Sequence, residues 1–227
     1  MSYEARSIAF LSEILYQPIQ LRVDAVQSIH NALYKRPEIR YVNFQIAQDG
    51  IHLANPPETP GAVSVVSFLP DRIVVREELR NLTAEDYATR LVEVASVALP
   101  ALGVTSSPAQ QFVVRTLITP RHTADSRDFF ARKIVSGPTE NWTAFGRPLA
   151  SLGMRLAFPQ TDQHREVYNV RVETWNQDPR SLWLENLGSF PGPMEVENLP
   201  QLGVHLHATY AFLTGPVFQF VGSFDRP

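Results

Sequence analysis

The sequence contains no cysteine among its 227 residues. This absence excludes disulfides, thiolate metal sites and cysteine nucleophiles, and it is compatible with any cellular compartment. Lysine is nearly absent as well, since Lys35 and Lys133 are the only two and arginine supplies the remaining basic side chains. The arginine bias has two interpretations: codon usage in a GC-rich genome, or selection of arginine for bidentate contacts with carboxylates or phosphates.

Long apolar runs are also missing, and none approaches the roughly 20 residues that cross a bilayer. The first sixteen residues contain Glu4, Arg6 and Glu13 and lack the basic region, apolar core and cleavage site of a signal peptide. We therefore expect a cytoplasmic protein that does not contact a membrane. The net charge of −3 and pI near 6.1 differ from the basic character of most nucleic-acid binders, so we also expect no nucleic-acid partner.

The motifs of common catalytic and cofactor sites do not occur. No phosphate-binding G-x-x-x-x-G-K-[ST] or G-x-G-x-x-G loop is present, and no zinc-binding H-E-x-x-H. Ser189 lacks the two flanking glycines of a nucleophile elbow. We predict no cofactor and no metal, and the sequence leaves open whether the protein is an enzyme.

What is present is the composition of an ordinary globular protein, with 44% apolar and 19% charged residues. The clearest element is a helix over residues 83–103. Thr83 and Asp86 have the spacing of a capping box, and Gly103 stands where a left-handed C-terminal cap is expected. Apolar residues between them recur at helical spacing, which predicts a helix packed along one face.

The remaining elements follow from apolar periodicity and turn residues. In the first half we predict a strand or helix at 7–16, a helix at 23–33, a hairpin over 41–54 around Asp49-Gly50, and strands at 63–69, 73–78 and 111–118. In the second half we predict a short helix at 126–135, strands at 152–158, 167–175 and 181–187, irregular chain at 188–193, a helix at 199–213 and a final strand at 217–224.

This order predicts an α+β fold made of two halves, each a mainly antiparallel sheet with a covering helix. Residues 1–120 form the N-terminal half, 121–148 a connecting segment with a short helix, and 149–227 the C-terminal half. Both halves contain a strand-strand-helix-strand order, which is either a duplication or the common arrangement of α+β domains.

Histidines supply the first group of possible site residues. His205 and His207 would share one face of a strand and could bind a metal, whereas in the predicted helix they point about 200° apart. His164 lies between Asp162 and Glu166 in a polar turn, where it is either a solvated loop residue or a titrating site residue.

A second group lies beside the connecting segment. His122, Asp125 and Asp128 form a polar cluster there, and clefts between domains are preferred places for pockets. Trp142, Phe145 and Phe190 are aromatic residues in regions rich in turns, where they either join the core or mark an interface.

From these observations we predict a non-catalytic binding or assembly module, either a homo-oligomer or a protein with another protein partner. The alternative is a small-ligand binder or enzyme with a cleft between the two halves, using His122, Asp125, Asp128 or His164 as acid, base or polar anchor.

Overall fold

The computed structural model describes residues 3–136, 142, 144–147 and 149–226, and it confirms the α+β class. The described residues form the strands β1 (Arg6–Leu15), β2 (Asn43–Ile46), β3 (Ile51–Ala54), β4 (Val63–Phe68), β5 (Arg72–Glu78), β6 (Ser106–Ile118), β7 (Gly153–Phe158), β8 (Val167–Thr174) and β9 (Leu182–Glu195). The α-helices among them are α1 (Val23–Tyr34), α2 (Ala84–Ala101), α3 (Ser126–Phe129), α4 (Pro200–Phe212) and α5 (Phe218–Phe224). Wider π-helical turns follow α3 at Phe130–Ile134 and α4 at Leu213–Val217.

All the strands belong to one antiparallel sheet with the order β2-β3-β4-β5-β1-β6-β9-β8-β7. The strands of the two predicted halves meet at β6 and β9, where Phe112 is opposite Gly188, and β1 lies between β5 and β6 in the middle of the sheet. The segment at 7–16, for which helix and strand were both open, is therefore a central strand. The two halves share this continuous sheet.

Helix α2 begins as predicted. The Thr83 hydroxyl accepts a hydrogen bond from the Asp86 amide at 3.1 Å, and the Asp86 carboxylate accepts one from the Thr83 amide at 3.1 Å. These two bonds satisfy amides that the helix itself leaves unpaired. Tyr87 in the first turn stacks on Phe10 of β1 with 5.1 Å between ring centroids, so the cap positions the helix over the sheet.

The helices cover one face of the sheet. Tyr87 donates a hydrogen bond to Ser12, which is in register with Phe112 of β6, and Phe112 contacts His205 of α4. Helices α2 and α4 lie side by side over the centre. A Cβ at Gly203 would lie 3.8 Å from that of Ala88, which is an ordinary van der Waals contact between the two helices. One apolar core, which includes residues of α1, α2, α4 and α5, fills the space between the helices and the sheet.

The final segment differs from the sequence prediction, because residues 217–224 are helical and not a strand. The prediction took Gly215-Pro216 as the end of α4. Instead a π-helical turn carries the chain past Pro216, which has no amide proton to donate, and α5 continues with Phe218 and Val221 buried in the core. The second predicted strand-strand-helix-strand unit therefore ends in a helix.

The segment 188–193 is also regular, although its glycines and prolines predicted otherwise. Strand β9 runs through it and pairs with β6 as far as Glu195, with a bulge at which Gly192 and Pro193 of β9 face the single residue Pro108 of β6. Strand β8 begins at Val167, opposite Ser189, so its ladder with β9 does not reach Pro191 and Pro193, and β9 has a neighbour on one side only at these prolines. Proline is tolerated at such edge and bulge positions.

Two units of the sheet, which adjoin at β1 and β6, share a different order. In the first, β1 pairs with β5, the last strand of a meander that precedes α2. In the second, β6 pairs with β9, the last strand of a meander that precedes α4. Duplication thus remains a hypothesis. It is supported by these two units, each a strand followed by a meander and a helix, and not by the predicted strand-strand-helix-strand units.

Candidate functional site

An apolar groove of about 900 Å³ lies between the β7 edge of the sheet and the C-terminal helices. We call it the C-terminal groove. Its apolar lining consists of Leu156, Phe158, Pro159, Tyr168, Ala208, Ala211, Phe212, Pro216, Val217 and Phe220. Its polar lining consists of Thr161, His164 and Glu166. This volume falls within the range of small-molecule sites, which are mainly apolar with a few oriented polar groups.

Aromatic rings form the floor and the inner wall of the groove. Phe158 and Tyr168 are cross-strand neighbours on β7 and β8, so both rings point toward the helices. Phe212 of α4 stacks on Tyr168 with 4.3 Å between centroids and meets Phe158 edge-on at 5.0 Å. Phe158 and Phe220 remain 39% and 37% exposed, which leaves apolar surface open to a ligand.

A second aromatic layer lies behind this floor. Phe190 stacks on His205 with 4.1 Å between centroids and an interplanar angle of 9°, and it meets Tyr168 edge-on. Burial lowers the pKa of His205, and the opposing effect of Glu166 is smaller. Among the described residues no atom forms a hydrogen bond with the buried Nδ1 of His205, while its Nε2 lies 2.9 Å from the Gln201 amide. A neutral ring is thus preferred at this position.

Gly188 allows α4 to approach the sheet behind the groove. A Cβ at this position would lie 2.3 Å from the Thr209 hydroxyl and 3.1 Å from both the Phe190 and Tyr168 rings. Asn186, two residues earlier on the same strand, donates a buried hydrogen bond of 2.9 Å to the Thr209 carbonyl. The glycine and this bond together hold α4 against β9, and so position Phe212.

The polar mouth of the groove is built on the turn between β7 and β8. The Thr161 hydroxyl accepts hydrogen bonds from the amides of Gln163 and His164, which orders the turn. Glu166 lies 3.4 Å from His164 Nδ1, and its side chain is 27% exposed. Burial and the nearby Glu166 carboxylate raise the pKa of Tyr168 to about 12, so the phenol stays protonated.

Two of the predicted site residues therefore lie at the groove. His164 lines its mouth and Phe190 supports its floor. Trp142 and Phe145 contact each other with 6.4 Å between centroids, and Phe145 is 68% exposed. Neither of these two residues lines the groove.

The predicted polar cluster is occupied by local contacts. Asp125 accepts a hydrogen bond of 2.8 Å from the Arg127 amide at the start of α3, and its ion pair with Arg127 lowers its pKa. Asp128 pairs with Arg132 at 3.7 Å. The His122 amide donates to Asp225 near the C-terminus. These contacts are local, and none of His122, Asp125 and Asp128 lines the C-terminal groove.

The two histidines of α4 diverge as the helical interpretation predicted. His205 is stacked on Phe190, while His207 lies 3.6 Å from Glu85 of α2 and is 45% exposed. No cluster of three or more His, Asp and Glu side chains within the described ranges could hold a metal ion.

The sheet face opposite the helices carries a row of alternating charges. Arg115 bridges Glu78 at 3.1 Å and Glu185 at 2.7 Å, and Arg171 bridges Glu185 at 3.6 Å and Glu173 at 2.7 Å. The Trp183 ring contacts both arginines. These arginines thus have carboxylate neighbours.

A buried polar cluster in the N-terminal half is a further possible site. Glu77 is 1% exposed, accepts hydrogen bonds from Ser64 and Tyr41, and lies 3.4 Å from Arg90. Burial raises the pKa of Glu77 despite this arginine. Because its carboxylate is enclosed, the cluster serves the packing of α2 against β5.

No protein-family model matches this chain, and no curated protein is similar to it in sequence. In the part of the chain that the structure describes, no helix has both the length and the apolar character needed to cross a bilayer.

Proposed function

We propose that the chain is a non-catalytic binding module whose C-terminal groove takes up an apolar small molecule with an uncharged or cationic hydrogen-bond donor at one end. The observation that carries this proposal is the division of the groove into a mainly apolar lining and a polar mouth with a single carboxylate. The apolar part binds the body of a ligand, and the mouth fixes its orientation.

The preference for a donor follows from Glu166. A carboxylate accepts hydrogen bonds and does not donate them, and it repels another carboxylate. With 27% of its side chain exposed, Glu166 is shielded enough from water to distinguish head groups. Tyr168 and Phe158 offer ring faces below the mouth, which also favour a cation.

The first experiment is a calorimetric titration with three molecules of equal chain length: decylamine, 1-decanol and decanoate. We expect decylamine and decanol to bind and decanoate to bind at least about fivefold more weakly, a ratio that corresponds to about 1 kcal/mol. Octylamine should bind more weakly than decylamine by about fourfold per methylene, since each buried methylene contributes about 0.8 kcal/mol. Equal binding of all three head groups, or no dependence on chain length, would contradict the proposal.

Two variants on α4 test where the molecules bind. Ala211 lines the groove and is exposed, so Ala211→Trp should fill it and abolish decylamine binding. Val204 is 57% exposed on the same helix and does not line the groove, so Val204→Trp is the matched control and should bind normally. A third variant, Glu166→Lys, tests the polar mouth. It should reverse the head-group preference, so that decanoate binds more tightly than decylamine.

The enzyme alternative has one observation in its favour, the His164–Glu166 pair at the mouth. It predicts turnover of a bound ester that His164→Ala abolishes.

The cytoplasmic location and the absence of a nucleic-acid partner remain predictions of the sequence. The pairing of Arg72, Arg76, Arg80 and Arg115 with carboxylates supports the second of these.

A further inference from the structure

Within the ranges that the structure describes, no strand pairs with the outer edge of β7, and this strand also carries an apolar stripe. β7 is the last strand of the sheet, and Gly153, Arg155 and Ala157 are exposed along it. Unpaired edge strands with apolar side chains are templates for pairing with another strand. Leu156 and Phe158 on this strand face the helix layer and line the groove.

The hydrogen-bond phase of β7 shows which main-chain groups point toward β8 and which point toward the outer edge. The Thr174 amide donates to the Leu152 carbonyl at 2.9 Å, and the register of β7 and β8 continues from this pair. In an antiparallel ladder bonded pairs alternate, so the amides and carbonyls of Met154, Leu156 and Phe158 point toward β8. Those of Arg155 and Ala157 point away from β8, toward the outer edge.

We propose that β7 pairs antiparallel with β7 of a second copy of this chain, about a two-fold axis at Leu156. Each Arg155 is then opposite Ala157 of the other copy, and the two pairs exchange four main-chain hydrogen bonds. Leu156 meets Leu156 of the other copy, and Met154 meets Phe158 of the other copy, all on the helix side. The sheets of the two copies become continuous.

Neighbouring registers are less favourable. A two-fold axis at Arg155 places two arginines directly opposite each other, which is destabilising in a cross-strand pair. An axis at Ala157 places Arg155 opposite Pro159, which has no amide proton. The axis at Leu156 avoids both faults.

The pairing also extends the C-terminal groove. Phe158 lines the groove, and Met154 of the second copy becomes its direct cross-strand neighbour. Each groove therefore gains an apolar side chain from the other copy. The test of the dimer does not depend on a ligand in the groove, because dimerisation is measured from the mass of the protein in solution without any ligand.

The test is light scattering coupled to gel filtration over a concentration series, with the chain mass of 25.5 kDa as the reference. We expect a dimer at about 100 µM. Ala157→Lys places a lysine opposite Arg155 at both pairs, so it should raise the Kd of the dimer by at least about tenfold. Ala157→Glu places a carboxylate opposite Arg155, so it should strengthen the dimer, and this gain should be lost at high salt. The double variant Arg155→Glu/Ala157→Lys should restore dimerisation.

The other sheet edge supplies the control. Gln45 lies on the edge strand β2, and Gln45→Lys should leave the dimer intact. Circular dichroism of every variant checks that the fold is retained. A monomeric wild-type protein at about 100 µM overturns the proposal, as does a dimer that Gln45→Lys dissociates or that responds alike to lysine and glutamate at position 157.

Discussion

At the scale of single residues, His205 shows how packing determines protonation. Its ring projects from α4 and stacks on Phe190, and burial lowers its pKa below the ordinary value of 6.5. The sequence placed this residue on a helix and separated it from His207. It could not indicate the stacking on Phe190, because that contact joins α4 to a strand that the sequence predicted to end before Phe190.

This burial predicts a pH dependence of stability. The folded-state pKa lies below the unfolded one, so the unfolded chain binds more protons as the pH falls. The contribution of the neutral His205 ring to the free energy of unfolding is therefore complete above the pKa that this histidine has in the unfolded chain. It is lost as the pH falls below about 6.5. Urea unfolding of the wild type and His205→Phe between about pH 7.5 and pH 5 should show a smaller loss in the variant. His207→Phe, which removes a half-exposed ring from the same helix, is the control and should retain the wild-type loss.

Gly188 predicts a steric effect at one residue. Gly188→Ala brings its Cβ against the Thr209 hydroxyl and should lower the free energy of unfolding by about 1–3 kcal/mol. Thr209→Ala removes that hydroxyl, so the double variant should lose less than the sum of the single losses in a urea-unfolding cycle. Gly215→Ala has open space around its new methyl group and serves as the control. Additive losses would show that the contact does not hold α4 at its present distance.

At the scale of elements, α2 was predictable because its signals are local. Thr83, Asp86 and the apolar periodicity all act within the helix. The strands β4 and β5 and the hairpin of β2 and β3 were predictable for the same reason. Elements whose form depends on distant neighbours were not predictable. Strand β9 continues through Pro191 because its ladder with β8 stops at Ser189, and α5 follows a π-helical turn that accommodates Pro216.

The cap of α2 predicts a measurable contribution to stability. Thr83→Ala removes the acceptor of the Asp86 amide and should lower the free energy of unfolding by about 1 kcal/mol. Ser96→Ala, at an exposed position within the same helix, should change it little or raise it slightly. Urea denaturation at constant pH compares the two. An equal effect of both variants would mean that the cap adds nothing beyond helix propensity.

At the scale of the whole molecule, the α+β class could be predicted and the groove could not. Phe158, Phe212 and Phe220 share no periodic pattern, and they line one groove only because the fold brings β7, α4 and α5 together. The prediction of an aromatic interface was based on Trp142, Phe145 and Phe190. Of these only Phe190 lies against the groove, so the role of the other two remains a prediction.

Binding of an alkyl chain in the C-terminal groove is tested most directly by an isotope-filtered NOE experiment on the decylamine complex, with the phenylalanine rings labelled. We expect contacts between the alkyl protons and the rings of Phe158, Phe212 and Phe220, all of which line the groove. Contacts confined to Phe145, or a complex without contacts to these three rings, would contradict this expectation.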